Sequence, residues 1–306
     1  MVRGAAAMAL AAAVVVPLVR RRLRIHPAVT TAAVASGPFA LAVLRPRTRT
    51  RDAALYALQM WGFLMAHELP YDDPESLRRR LKVRYPIASD RAVGFGQLPN
   101  VRLQRALSPA GQVTTKDHVL TWVHWLWFFQ PHLALVWILA RDQERFPRAA
   151  RQMAATFDLG CLGYVTVPTA PPWWASEQGY TGDERVRRIM VDVGEEFWGR
   201  LWPGLYGSLG GNPWAAMPSL HFATSLMAAL LLGESGRAPG AVGLAYAASL
   251  GFALVYLGEH YVTDLAAGVA LIAAVRRGEP LAEPVALRVS GLAQRLERLA
   301  NSSRER

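Results

Sequence analysis

Met217-Pro-Ser-Leu-His221 and Gly258-Glu-His-Tyr-Val-Thr-Asp264 bracket the stretch, residues 217–268, whose reading decides the fold. Two apolar runs, 215–232 and 240–257, lie along it, joined by a short polar loop, and a third, 260–275, begins inside the second motif. His221, His260 and Asp264 therefore sit at the ends of hydrophobic segments. Ionisable groups at membrane depth are costly and are rarely found there without a function.

Working outward, five further apolar blocks precede these three, at 4–19, 28–44, 53–70, 118–140 and 149–167. A helix needs about 20 apolar residues to cross a bilayer. The chain is 52% hydrophobic with a positive mean hydropathy of +0.14, so the expected fold class is all-α, a polytopic transmembrane helical bundle with surface amphipathic helices. The expected organisation is an N-terminal pair of apolar segments over 1–52, a catalytic transmembrane domain over 53–277 and an amphipathic polar tail over 278–306. The net charge is +11, almost all of it arginine, because Lys82 and Lys116 are the only lysines. These charges cluster between apolar blocks, which points to anionic membrane lipids or a substrate phosphate as partners rather than nucleic acid. Cys161 is the sole cysteine and excludes an intrachain disulfide. No cleavable leader is expected, because a second apolar block follows the first directly. Lys and Arg divide evenly between the two alternating sets of connections, so the positive-inside rule assigns no orientation.

Two connections are long. Residues 71–117 alternate leucines and valines with Arg and Lys and read as short amphipathic helices on the membrane surface, broken at Pro86 and Pro99. In the other, Val186, Ile189, Met190, Val193 and Phe197 recur at helical spacing and predict an amphipathic helix. Tyr164–Trp174, with Pro168, Pro171 and Pro172, predicts an extended exit from the fifth block. His118, His124 and His132 match no common metal spacing and read as helix packing, and Asp158 reads as a structurally paired carboxylate rather than a catalytic one. His67-Glu68 has no second histidine at the spacing of a metalloprotease.

Pro218 suits the first turn of a helix, which places His221 one turn into its block. His260 and Asp264 are four apart and would share one helix face. One span separates the two motifs, so both open on the same membrane face, with the proline run and both long connections. Helix N-termini favour a phosphate. An imidazole can attack phosphorus while a carboxylate fixes its tautomer, and a second imidazole can protonate the leaving oxygen. This constellation suits phosphoryl transfer through a phosphohistidine.

Met217–His221 and Tyr256–Asp264 resemble the second and third signatures of the type 2 phosphatidic acid phosphatase superfamily. Pro168-Thr-Ala-Pro-Pro172 and the Arg91–Arg105 region, with its Gly-Gln-Leu-Pro and Leu-Gln-Arg, are similar to the branch containing inositol phosphorylceramide synthase. The resemblance spans about residues 85–275. It implies a six-helix core, no metal or other cofactor, a multi-pass protein of the cell membrane and an active site on its extracytoplasmic face. It implies His260 as nucleophile, Asp264 as its orienting partner and His221 as the acid. The implied substrate is a phospholipid or polyprenyl phosphate.

Three departures from the superfamily pattern stand out. Leu220 replaces a glycine, Leu254 stands where an arginine is expected, and Tyr164–Trp174 lacks the lysine and Arg-Pro of the first signature. Some other cation must then neutralise the phosphate. Arg187 and Arg188, then Arg91 and Arg105, are the candidates, with Ser219 and Tyr256 of the two motifs as further substrate-binding residues. Three functions follow: a phospho-head-group transferase, a lipid phosphate or polyprenyl diphosphate phosphatase, and a transporter or scaffold on the same fold.

Overall fold

A computed structural model describes residues 1–108, 112–204 and 212–302. The described residues are helical, with two isolated bridges, Lys82 to Thr169 and Thr169 to Ala215, as the only extended pairing among them. The helices are α1 (Val2–Leu23), α2 (Pro27–Leu44), α3 (Arg49–Glu68), α4 (Pro74–Arg80), α5 (Arg84–Val93), α6 (Pro99–Leu107), α7 (Thr115–Leu126), α8 (Gln130–Arg141), α9 (Phe146–Thr166), α10 (Pro172–Glu177), α11 (Ile189–Trp198), α12 (Leu220–Gly233), α13 (Arg237–Tyr256) and α14 (Val262–Ser302).

Fewer helices qualify as spans than the eight apolar blocks suggest. Among the described residues α1, α2 and α13 are long and apolar enough to cross a membrane, and α7 with α8, bent by 51° at a short break, makes a fourth if taken as one span. Helix α12 is apolar but has only 14 residues. At 1.5 Å per residue it covers about 21 Å of a hydrocarbon core about 30 Å thick. Helix α13 presents Val242, Leu244 and Phe252 outward, as a lipid-facing helix does.

The chain forms two compact units. The first comprises Met1–Asp72, Leu135–Ala155 and Ala274–Arg306. Within it α1 and α2 approach closely, since a Cβ added to Gly37 would lie 2.9 Å from Ala13 Cβ. Small residues permit such close backbones. Arg20 is buried and reaches Asp72 at 3.1 Å and Glu68 at 3.3 Å. It is thus an internal ion-pair member rather than the loop charge that counting by connection makes of it.

The second unit comprises Asp73–Ala134 and Thr156–Ala273 and holds both histidine motifs. At its centre α12 buries Leu220, Ala223, Met227, Ala228, Ala229 and Leu231. Helix α13 returns tightly along it: a Cβ on Gly243 would sit 2.7 Å from Ala229 Cα. The described part of the connection at 71–117 holds the short helices expected of it, α4, α5 and α6, and two of them bury polar as well as apolar side chains. Helices α5 and α6 bury Ile87, Asp90, Asn100, Val101 and Gln104. Pro86 lies within the first turn of α5, where a missing N–H costs nothing, and Pro99 starts α6, so neither breaks a helix. The proline run ends in α10 rather than continuing extended. The second amphipathic helix begins at Ile189, with Val186 in the segment before it.

The turn from α13 to α14 requires Gly258. Its φ is +84°, and an added Cβ would lie 2.5 Å from Arg187 O. A side chain there meets both a left-handed backbone and the neighbouring carbonyl. Gly258→Ala is expected to destabilise the protein by more than about 1 kcal/mol, read as a lowered thermal midpoint in detergent. An unchanged midpoint would refute this account of the turn.

Candidate active site

Helix α12 begins later than Pro218 suggests. Ser219 is the N-cap, its Oγ accepting from Phe222 N at 3.3 Å, and Pro218 precedes it after a cis peptide bond. His221 is therefore the second helical residue. The start of α12 is pinned by Tyr164 of α9, whose hydroxyl donates to Pro218 O at 2.8 Å and accepts from Leu220 N at 3.2 Å. Helix α9 comes this close because Gly160 and Gly163 face Leu220 and Pro218.

His260 lies outside α14, two residues before its first turn. It nevertheless meets Asp264, because the loop folds back over the helix start. His260 Nδ1 is 3.2 Å from Asp264 Oδ2, which also accepts from Tyr261 N at 2.9 Å. A third-position carboxylate reaching back to the cap N–H is half of a capping box. Both side chains are buried, Asp264 completely. On the other side of the ring, His260 Nε2 is 3.1 Å from His221 Nδ1. The three residues thus form one line: carboxylate, imidazole, imidazole.

Residues outside the two motifs hold this line in place. Asn100 Nδ2, fully buried on α6, donates to Val255 O at 2.7 Å and to His260 O at 2.9 Å. One turn along, Gln104 Nε2 donates to Tyr256 O at 2.8 Å and Arg187 O at 2.9 Å, while its Oε1 accepts from Arg187 N. Leu254 O accepts from both Glu259 N and His260 N. Asp90 of α5 accepts from Val262 N, Thr263 N and the Thr263 hydroxyl. Burial raises the Asp90 pKa above its usual value despite these hydrogen bonds. The first N–H groups of α14 are therefore taken by protein carboxylates, which leaves that helix end a smaller part in holding phosphate than its dipole alone suggests.

The four nominated arginines separate. Arg188 is paired with Glu259 by two hydrogen bonds, 2.8 and 3.1 Å, and lies 3.8 Å over the Trp173 ring. Burial raises the Glu259 pKa, but the Arg188 charge and hydrogen bonds outweigh it and hold the carboxyl below its usual range. Since Glu259 precedes His260, Arg188 sits beside the reacting loop. Arg187 pairs with Asp192 at 2.7 Å and reaches Ser108 Oγ at 3.2 Å. Arg91 pairs with Glu184 at 2.7 Å and donates to Thr181 O. Arg105 is exposed on α6. Tyr256 is fully buried and its hydroxyl donates to Asp117, so the ring is directed to α7 rather than to the histidines. Asp158 lies on the exposed side of α9. Among the described residues no group of three or more His, Cys, Asp or Glu has metal-site geometry.

The α7 segment supplies what the sequence reading missed. Trp127 lies 4.2 Å and His124 5.0 Å, ring centre to ring centre, from His221. The Trp127 indole N–H donates to Thr224 Oγ1 at 2.8 Å, one turn below His221 on α12. The parity argument used for the two motifs could have found His124, because the fourth block opens on the same face. Asn100 and Gln104 also had a signal: two amides at i and i+4 beside buried Val101.

If Asn100 and Gln104 position the His260 loop, Asn100→Ala leaves the His260 carbonyl unpaired and lets the ring shift. The expected result is a fall in kcat of roughly tenfold to a hundredfold, with KM little changed. Steady-state kinetics that show a rise in KM alone would refute a positioning role.

The family model of the PAP2 superfamily matches residues 88–276, more than half of the chain and all of the elements just described around the two histidines. No curated protein and no solved structure gives a match. The chain therefore belongs to the PAP2 superfamily and is a phosphatase or phosphotransferase of the type 2 phosphatidic acid phosphatase kind.

Proposed function

We propose that the protein is a membrane-embedded transferase that moves a phosphate-containing head group from a lipid phosphoester to a hydroxyl acceptor through a phosphohistidine on His260. The observation that carries this reading is the line from Asp264 through His260 to His221, with separations of 3.2 and 3.1 Å. Asp264 engages Nδ1 of His260, which keeps the proton on that nitrogen and the lone pair on Nε2. Nε2 is then the nucleophile, and the positive charge that develops on the ring is met by Asp264.

The phosphorus enters between the two rings, which part to admit it. As the Nε2–P bond forms, the bond from phosphorus to the leaving oxygen breaks, and protonated His221 gives that oxygen its proton. The now neutral His221 takes the proton of the incoming hydroxyl as its oxygen attacks phosphorus, and the Nε2–P bond breaks. His221 ends protonated and His260 neutral, ready for another turnover.

Placement in the inositol phosphorylceramide synthase-like branch is part of this proposal. It is supported by two segments similar to that branch. Asn100 and Gln104 of the 91–105 region contact the His260 loop. Thr169 of the proline run pairs with Lys82 and Ala215, next to the first motif. The buried aliphatic Leu254 in place of an arginine also sets the chain apart from the phosphatase pattern. On the same resemblance we assign the protein to the cell membrane with its site extracytoplasmic, and a six-helix core to the catalytic transmembrane domain over residues 53–277.

The test is lipid profiling of cells with and without the gene, repeated with His260→Ala and His221→Ala. Transfer predicts that a lipid bearing a phospho-head group disappears without the gene, and that either variant lowers turnover by about a thousandfold or more. Release of inorganic phosphate without a new phosphoester would make water the acceptor and the protein a lipid phosphatase. Full function in both variants would leave only a transporter or scaffold.

A further inference from the structure

His124 is one of several buried residues of this unit with polar atoms that lack a partner, and the one whose ring lies against His221. Its side chain is 5% exposed, and neither Nδ1 nor Nε2 has a hydrogen-bond partner among the described residues. Leaving a buried polar group unpaired costs about 1–3 kcal/mol. Such groups in a native structure call for a partner that the protein alone does not supply. The ring is not remote from the chemistry. It lies 5.0 Å from the His221 ring, tilted by 44°. His260 in turn is in contact with His221 on its other flank. Trp127, with its ring 4.2 Å from that of His221, makes a further aromatic wall beside it.

The site also has an electrostatic requirement that its other residues meet only in part. Leu254 is fully buried where the superfamily pattern places a phosphate-binding arginine. The first turn of α14 is occupied by Asp90 and Asp264, and Arg188 is neutralised by Glu259. A phosphoryl group held between His221 and His260 needs donors on its non-bridging oxygens, aimed where negative charge grows during transfer.

We infer that His124 is a catalytic residue of this site: its ring N–H binds a non-bridging phosphoryl oxygen of the substrate, in place of the missing arginine. This rests on the phosphohistidine reading of His221, His260 and Asp264. A phosphoester entering beside His221 gives the donor nitrogen of His124 its partner. The acceptor nitrogen is met by a hydroxyl of the same ligand or by a water that enters with it. An imidazole suits this aromatic wall, because in its neutral form it donates a hydrogen bond without burying a further charge. The inference also explains a polar side chain that packing alone would replace with leucine or phenylalanine.

The test uses the full chain in detergent micelles, with orthovanadate as a phosphoryl mimic and binding measured by titration calorimetry. Wild type, His260→Ala, His124→Phe and His124→Gln are compared. Phenylalanine fills the ring volume without a donor, and glutamine restores an N–H. Orthovanadate affinity is expected to fall roughly tenfold or more in His124→Phe and to return to within about threefold of wild type in His124→Gln. Affinity within twofold of wild type in His124→Phe would overturn the inference. So would an equal loss in both variants, which would mark a packing role. The underlying reading has its own arm: His260→Ala binding orthovanadate as tightly as wild type, or a wild type that binds none, would fail the phosphohistidine mechanism, whatever His124 does.

Discussion

The Asp264 carboxylate has no exposed surface, and the second unit is built to accommodate it. A buried charge is costly unless it is paired and hydrogen-bonded. Asp264 Oδ2 is paired and hydrogen-bonded through His260 Nδ1 and Tyr261 N, at the positive end of α14, while Oδ1 has no partner among the described residues. Those two bonds require the chain before α14 to double back over the helix start. That fold in turn requires Gly258 at positive φ, Leu254 O receiving two successive N–H groups, and Asn100 holding the His260 carbonyl. One solvation problem thus organises the turn, the amides of α6 and the tautomer of the reacting imidazole.

The second reacting group is held differently. His221 stands at the start of a largely buried helix, whose backbone is fixed before the ring is placed. Tyr164 anchors the backbone before it, Ser219 caps the helix, and glycines on α9 allow the close approach. Its ring lies among those of Trp127, His124 and His260. A rigid hydrogen-bonded loop therefore faces a ring confined by aromatic walls. Under the proposed mechanism this division suits His260 as a nucleophile that keeps its tautomer and His221 as an acid that exchanges a proton twice per turnover.

Charge near the site is balanced within the protein. Arg188 is opposed by Glu259, Arg187 by Asp192 and Arg91 by Glu184. The formal net charge of +11 therefore overstates the field available to a substrate phosphate. Ion pairs of this kind hold segments in register. Arg188 stacks on Trp173, so its plane is held even where its partner changes.

By itself the sequence determined the helical class, the main apolar segments and the three side chains, His221, His260 and Asp264, that the folded chain brings into one line. Hydropathy has a length scale that survives without coordinates, and His221, His260 and Asp264 lie in short motifs whose spacing is local. It misplaced the local frames: Pro218 precedes the α12 cap, and His260 lies before α14 rather than on its face. Caps and turns are set by a few hydrogen bonds that residue type alone does not specify. Among the described residues fewer helices than apolar blocks are long and apolar enough to span, and α12, with 14 residues, is one that falls short. Only the tertiary structure decided what surrounds the line. Asn100 and Gln104 sit in a segment that reads as basic and superficial, and they become central because α6 packs under the His260 loop. His124 is more than ninety residues from either motif and reads as packing until α7 is laid against α12. Long-range contacts of this kind depend on which faces meet, and no periodicity within one segment encodes its partner.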